Sequence, residues 1–258
     1  SRQSFFLFGP RGTGKSLFAR SFFPGSIYFD LLDHAVCYKF LSHPEHLIEI
    51  VEGNRKKNVI VIDEIQKAPL ILDAVHLLME KYKQIQFVLT GSSPRKLKNA
   101  RANLLGARAH YCVLHPFMAY ELGNSFNIDN ALTNGLLPLV WASKDKVASL
   151  KSYIGLYIKE EVQQEALVRN IVQFTRFLES ISFSQASLLN TSNVARECGV
   201  ERKTVEGYIK ILEDLMLVFR IPVFSKRATR KLISHSKFYF FDAGVFWSLR
   251  PSGPFDRS

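Results

Sequence analysis

The sequence predicts an α/β fold: a five-stranded parallel sheet with helices on both faces, then a helical lid, then a winged helix-turn-helix. Three observations carry that prediction. Short β-rich apolar runs alternate with longer helical stretches up to about residue 115, the pattern of a parallel sheet covered by helices. From Pro116 the strands stop and helical periodicity takes over to about Ser182. A compact unit from Thr191 to Phe241 then reads as two short helices followed by two apolar runs.

The elements follow in order. Candidate strands are Ser4 to Phe8, Ile27 to Asp30, Val59 to Asp63, Gln86 to Thr90 and His110 to Leu114. Helices are expected to begin at Lys15, Pro44, Pro69 and Pro94, three of them at a proline, whose missing N–H costs little in a first turn. Beyond Pro116, Leu150, Ile154, Tyr157, Ile158 and Val162 recur every three to four residues and predict one buried helical face. The expected domains are 1–115 for the sheet, 116–183 for the lid and 184–258 for the winged helix.

Bulk composition narrows the function classes. A chain of 258 residues with 47% hydrophobic and 22% charged residues has the makeup of a globular protein, long enough for two cores. No apolar run approaches the roughly 18 to 20 residues that cross a bilayer, and the opening residues lead into a glycine-rich loop rather than a secretory signal. A cytoplasmic protein with no membrane partner is therefore expected. Cys37, Cys112 and Cys198 are odd in number and widely spaced, which suits neither a disulfide framework nor a zinc site. The net charge of +11 favours polyanionic partners. It is concentrated in two acid-free runs, one between Glu80 and Glu121 and one between Asp214 and Asp242.

The chemistry begins at Gly9-Pro10-Arg11-Gly12-Thr13-Gly14-Lys15-Ser16, a full Walker A pattern between an apolar strand and a helix. Glycines at 9, 12 and 14 let backbone N–H groups turn inward around phosphate oxygens, and the helix start offers its positive end to the same anion. With Leu17 in the first helical turn, these residues form the candidate nucleotide-binding set. Lys15 is expected to reach the β- and γ-phosphates, and Ser16 to place its hydroxyl on Mg²⁺. Val59-Ile60-Val61-Ile62-Asp63-Glu64 is an apolar strand ending in two carboxylates, the Walker B form. Asp63 is expected to hold the magnesium through water, and Glu64 to orient and deprotonate the attacking water. The strand Gln86 to Thr90 ends in Thr90-Gly91-Ser92-Ser93, which puts hydroxyls of Ser92 or Ser93 where strand tips converge on a ligand.

In Thr191 to Leu212 a capping hydroxyl at Thr191 or Ser192, the small Ala195, the turn Gly199 and the apolar series Val205, Ile209 and Leu212 fit a helix-turn-helix. Arg202, Lys203 and Thr204 would project from the first turn of its second helix, the end that enters a major groove. Leu217 to Phe224 and Lys237 to Phe241 would form a wing, with Lys226, Arg227, Arg230 and Lys231 at its basic tip against DNA phosphates. The same fold serves as a protein-docking module, so duplex DNA and a protein target both stand as partners.

The motifs Phe8 to Ser16, Ile62-Asp63-Glu64-Ile65-Gln66-Lys67, Leu89 to Ser93 and Tyr239-Phe240-Phe241-Asp242-Ala243-Gly244-Val245 together resemble the bacterial and archaeal AAA+ ATPases whose C-terminal half is the domain DUF4143. The resemblance covers nearly the whole chain. It implies ATP and Mg²⁺ as cofactors, adenine over guanine, and a sensor role for Ser92. It also implies that Arg108 is an arginine finger supplied in trans within a homo-oligomer. The family more often shows Ala-Gly-Arg where this chain has Gly106-Ala107-Arg108. Gly135 to Pro138 resembles a Gly-x-x-Pro element that lies over the nucleotide base in related lids. Members usually continue into a nuclease-like region, so a chain cut short at its C-terminus is expected. The function expected is an Mg-ATP-hydrolysing ATPase coupled to a DNA or protein partner; the alternative is an ATP-controlled switch with little turnover. A phosphotransferase is disfavoured, because an Asp-Glu pair prepares water.

Overall fold

The computed structural model describes residues 3–95, 97, 108–158, 162, 170–222 and 236–250. The chain divides into two compact units, Ser1–His115 and Pro116–Ser258. Among the described residues no helix is long and apolar enough to cross a membrane.

The first unit is built on β1 (Ser4–Phe8), β2 (Ile27–Asp30), β3 (Val59–Asp63), β4 (Gln86–Gly91) and β5 (Ala109–Val113), all parallel, in the order β2-β3-β4-β1-β5. Each strand lies within a residue of its predicted bounds, since short β-branched and aromatic runs leave few other conformations open. The pleat sorts the side chains. Val61 and Val88 pair across β3 and β4 and meet Ala19 of α1 (Lys15–Phe22), with Phe5 and Tyr28 packed beside them. On the opposite face Phe29 meets Phe40 of α2 (His34–Ser42) edge-on at 5.1 Å. Helices therefore cover both faces.

Helix α2 was not expected. It is capped by Asp33, whose carboxylate accepts from the amides of Ala35 at 2.8 Å and Val36 at 3.3 Å. Helices α3 (His46–Gly53) and α4 (Ile71–Lys81) begin two residues after Pro44 and Pro69 rather than at them. Pro44 stands ahead of the first turn and lends its carbonyl to Leu47 N at 3.3 Å. The helix expected from Pro94 falls largely outside the described residues.

The second unit opens with α5 (Ala119–Leu122), α6 (Ile128–Asn134), α7 (Pro138–Trp141) and α8 (Lys146–Ser152). After α8 the backbone widens into a π-helical turn, Tyr153–Ile158. Of the predicted stripe, Leu150 and Val162 are buried, with Tyr153 beside them, and Ile154 is half-buried against the same core.

Then come α9 (Ile171–Ser182), α10 (Thr191–Cys198) and α11 (Arg202–Asp214), and an antiparallel pair, β6 (Val218–Ile221) with β7 (Lys237–Phe240). Phe174, Phe177, Val194, Val205, Tyr208 and Ile209 share one core with Leu137, Leu150 and Val245. The cap of α10 is Asn190, whose side chain accepts from Asn193 N at 3.1 Å, and not the hydroxyl of Thr191 or Ser192; Thr191 is already the first helical residue. The unit closes with α12 (Ala243–Leu249), capped by Asp242.

Asp242 also ties two distant segments together. It accepts from Val245 N at 3.0 Å on its own helix and from Leu136 N at 2.7 Å in the loop after α6. Gly135, at φ +73°, has no room for a side chain: a Cβ would lie 2.0 Å from Asp242 Oδ1. The segment Gly135 to Pro138, expected over a nucleotide base, is thus anchored to Asp242 through its backbone.

Candidate nucleotide site

The loop between β1 and α1 is shaped by its glycines. A Cβ on Gly9 would sit 2.2 Å from the Leu114 carbonyl oxygen, while Gly12 and Gly14 hold φ values of 83° and 90° that side chains resist. Thr13 Oγ1 donates to the Pro10 carbonyl at 2.9 Å. Lys15, 5% exposed, donates through Nζ to the carbonyls of Gly9 at 2.8 Å and Pro10 at 3.0 Å, which fixes its ammonium inside the loop. Gly14 caps α1 with no side-chain hydrogen bond, and the first intrahelical bond runs from Phe18 N to Gly14 O at 2.8 Å. The amides of Ser16 and Leu17 precede that bond and present N–H groups at the helix's positive end. Ser16 is half-buried and the Leu17 side chain is exposed. Pro10 is buried and Arg11 half-buried in the same loop.

The acid pair stands at the tip of β3. Parallel register sets Ile62 against Leu89, which brings Asp63 and Thr90 side by side on one face. Thr90 Oγ1 donates to Asp63 Oδ1, and Tyr28 Oη donates to Asp63 Oδ2 at 2.6 Å. Asp63 is buried at 1% exposure, so both its oxygens are held from the flanking strands. Burial pushes the Tyr28 phenol well above its ordinary pKa, with the hydrogen bond and charge of Asp63 adding to it and Arg20 opposing. The Arg20 guanidinium lies 4.3 Å over the Tyr28 ring and pairs with Asp30 at 3.0 Å.

Glu64 adopts a left-handed backbone at φ 60° and ψ 46°, uncommon for a residue with a side chain. Its amide donates to Thr90 Oγ1 at 3.2 Å, and its carboxylate accepts from Gln66 Nε2. Gln66 Nε2 also donates to Ser92 Oγ at 3.2 Å. Ser92 and Ser93 are both buried; Ser93 Oγ turns back to accept from Arg95 N at 3.1 Å.

The structure thus brings Gly9 through Leu17, Asp63, Glu64 and Ser92 to the C-terminal tips of three adjacent strands. Arg108 is not among them. It precedes β5, where Ala109 pairs with Ser4, at the end of the sheet opposite the phosphate loop. Its Nε donates to Glu80 Oε1 of α4 at 2.6 Å, and Lys83 first and Arg108 second hold the Glu80 carboxyl below its usual range. Tyr28, Gln66 and the bridging role of Thr90 were not read from the sequence.

At the first turn of α11, Arg202 and Lys203 are exposed and Thr204 is half-buried. Arg202 pairs with Glu206 at 2.9 Å, and Arg220 pairs with Glu213 at 2.7 Å, on the walls of a groove of about 540 Å³. Lys226, Arg227, Arg230 and Lys231 lie outside the described residues.

No curated protein matches the chain. Among solved structures, one titled replication initiator DnaA bound to AMPPCP and single-stranded DNA aligns over 82% of this chain and 82% of its own, at 14% identity and a TM-score of 0.37. A second, titled DNA replication initiation factor, covers 83% of each chain at 16% identity and a TM-score of 0.35. Residues 1–123 match the family described as an AAA domain, which supports a nucleotide-binding ATPase of the P-loop type. The second half matches a different family from the DUF4143 region that the motifs resembled. With residues 125–254 matched, the chain belongs to the family described as a domain of unknown function, DUF8612, here behind an AAA domain.

Proposed function

We propose that this protein hydrolyses Mg-ATP to ADP and couples that turnover to a partner held by its second unit. The observation that carries the reading is the acid pair: a buried Asp63 held by two hydroxyls, and beside it a Glu64 carboxylate aimed by Gln66, on the sheet edge that bears the Lys15 loop.

The residues present fit a magnesium triphosphate. Lys15, the loop amides and the first turn of α1 would hold the phosphates, and Ser16 and Asp63 would hold the metal, which when bound would offset negative charge on the phosphates. Glu64 orients the attacking water and takes its proton, and Ser92 donates to the terminal phosphate. Arg108 cannot reach the phosphate loop of its own chain, so its role as a finger requires a neighbouring copy and a homo-oligomer.

Two partner classes remain. Duplex DNA would be met by Arg202, Lys203 and Thr204 as the leading turn of a winged helix. A protein target is favoured by the groove lined by α11 and β6, where Arg202, Lys210 and Arg220 are balanced by Glu206, Glu213 and Asp214.

The test is magnesium-dependent ATP hydrolysis by the purified protein, alongside two variants. Lys15→Ala is expected to weaken ATP binding by about 30- to 150-fold, the equivalent of about 2–3 kcal/mol of charge-assisted bonding. Glu64→Gln is expected to keep binding and lose about a hundredfold or more in kcat. A wild-type protein that does not hydrolyse ATP would sink the proposal. A Glu64→Gln protein that keeps its effect on the partner would make the chain a nucleotide-controlled switch.

A further inference from the structure

Gln66 lies on the 3₁₀ turn Ile65–Lys67 that follows the acid pair, and it is 8% exposed. Its amide nitrogen spends one hydrogen on Glu64 Oε2 and the other on Ser92 Oγ, while its Oε1 is buried without a partner. Reversing the amide would set that oxygen against the Glu64 carboxylate, acceptor against acceptor, so the charge on Glu64 fixes the orientation. A side chain that leaves its own carbonyl unsatisfied adds little to stability. What this arrangement gives instead is direction.

We propose that Gln66 is a positioning residue that locks the Glu64 carboxylate and the Ser92 hydroxyl into one unit. The proposal rests on the ATPase reading above. A Ser hydroxyl that accepts from Gln66 keeps its own proton to donate, and that proton points onward to the terminal phosphate. A Glu carboxylate with Oε2 engaged keeps Oε1 to accept from water. One amide therefore sets the polarity of both reacting contacts: the water-facing group is an acceptor and the phosphate-facing group a donor. Glu64 is fixed twice, by Thr90 at its amide and by Gln66 at its carboxylate, which is the kind of restraint that holds a general base in attack geometry.

Gly91 supplies an independent handle. A Cβ there would come 2.5 Å from Gln66 Oε1 and 3.2 Å from Phe8, so Gly91→Ala displaces the carboxamide without altering its chemistry. The experiment compares ATP turnover and the affinity of a fluorescent ATP analogue for wild type, Gln66→Ala, Gly91→Ala, Ser92→Ala, Glu64→Gln and the double variant Gln66→Ala/Ser92→Ala. Gln66→Ala and Gly91→Ala are expected to lose about tenfold or more in kcat, with nucleotide affinity kept. The double variant is expected to be no slower than the slower of its singles, the signature of groups acting together. If Gln66→Ala fails to fold, Gly91→Ala decides. A wild-type rate in the folded variants, or losses that multiply, overturns the proposal while leaving the ATPase reading intact. Absent hydrolysis in wild type, or full activity in Glu64→Gln, removes that reading and this proposal with it.

Discussion

Tyr28 donates its phenolic hydrogen to Asp63 Oδ2 across 2.6 Å, from the edge strand to its neighbour. That bond orients a carboxylate whose proposed task is to hold a metal through water, and groups behind a metal ligand set its affinity. Tyr28→Phe keeps the ring against α1 and deletes only the donor. It is expected to raise the Mg²⁺ concentration for half-maximal ATP hydrolysis by about tenfold or more. Nucleotide binding measured in EDTA should be unchanged. An unaltered magnesium titration would show that Thr90 alone suffices to orient Asp63.

Arg108 reports on assembly. Its pair with Glu80 is solvent-exposed, so Arg108→Ala is expected to leave thermal unfolding unchanged. Hydrolysis should fall by about a thousandfold if a neighbour's transition state depends on it. Mixing is the decisive measurement. Arg108→Ala combined with Glu64→Gln should regain activity, because one intact Glu64 and one intact Arg108 then meet across an interface. Two inactive proteins that stay inactive when mixed would rule out a finger in trans.

Asp242 bridges two segments of the second unit. Burial raises its pKa despite the backbone amides of Leu136, Val245, Gly244 and Leu137 that favour its charge. A carboxyl with a raised folded pKa takes up protons on folding. Its contribution is fully present below the unfolded pKa and is lost as pH rises through the folded one. Asp242→Asn removes that slope from urea unfolding followed between acid and neutral pH, and costs about 1–3 kcal/mol because one acceptor becomes a donor facing a backbone N–H. Gly135→Ala should cost about as much or more, since a Cβ would meet Asp242 Oδ1 at 2.0 Å at a left-handed φ. Wild-type stability in Gly135→Ala would show that the loop after α6 yields.

Charge reversal at Arg202 and Lys203 separates the two partner classes. For DNA, replacing both by Glu should weaken duplex binding and flatten its dependence on salt by about one unit of log–log slope for each lost phosphate contact. For a protein partner held in the mixed-charge groove, Glu206→Lys should be as damaging as Arg202→Glu. Binding that ignores all three changes would place the partner elsewhere on the chain.

The strands and the glycine-rich turn between β1 and α1 were legible because their signals are local. Five-residue apolar runs and an unbroken glycine-rich motif need no knowledge of what lies next to them. Contacts across the sheet were not legible. Tyr28 meets Asp63 over 35 residues, Thr90 meets Asp63 over 27, and Gln66 meets Ser92 over 26, and each pairing exists only once strand order and register are fixed. The cap of α2 is local too, an Asp33 side chain that accepts from the amides of Ala35 and Val36. The π turn at Tyr153 was beyond reach: five-residue and four-residue spacing share one local sequence, and packing decides between them. Asn190 shows a milder ambiguity, three adjacent polar residues competing for one capping position.

Strand β4 lies between β1 and β3, although both precede it in the chain. A nascent polypeptide that ends before Gln86 already contains the phosphate loop and the acid pair, yet has nothing to seam them together. The loop after β1 and the acid pair after β3 therefore come to share one edge of the sheet only through the last-made of the three strands.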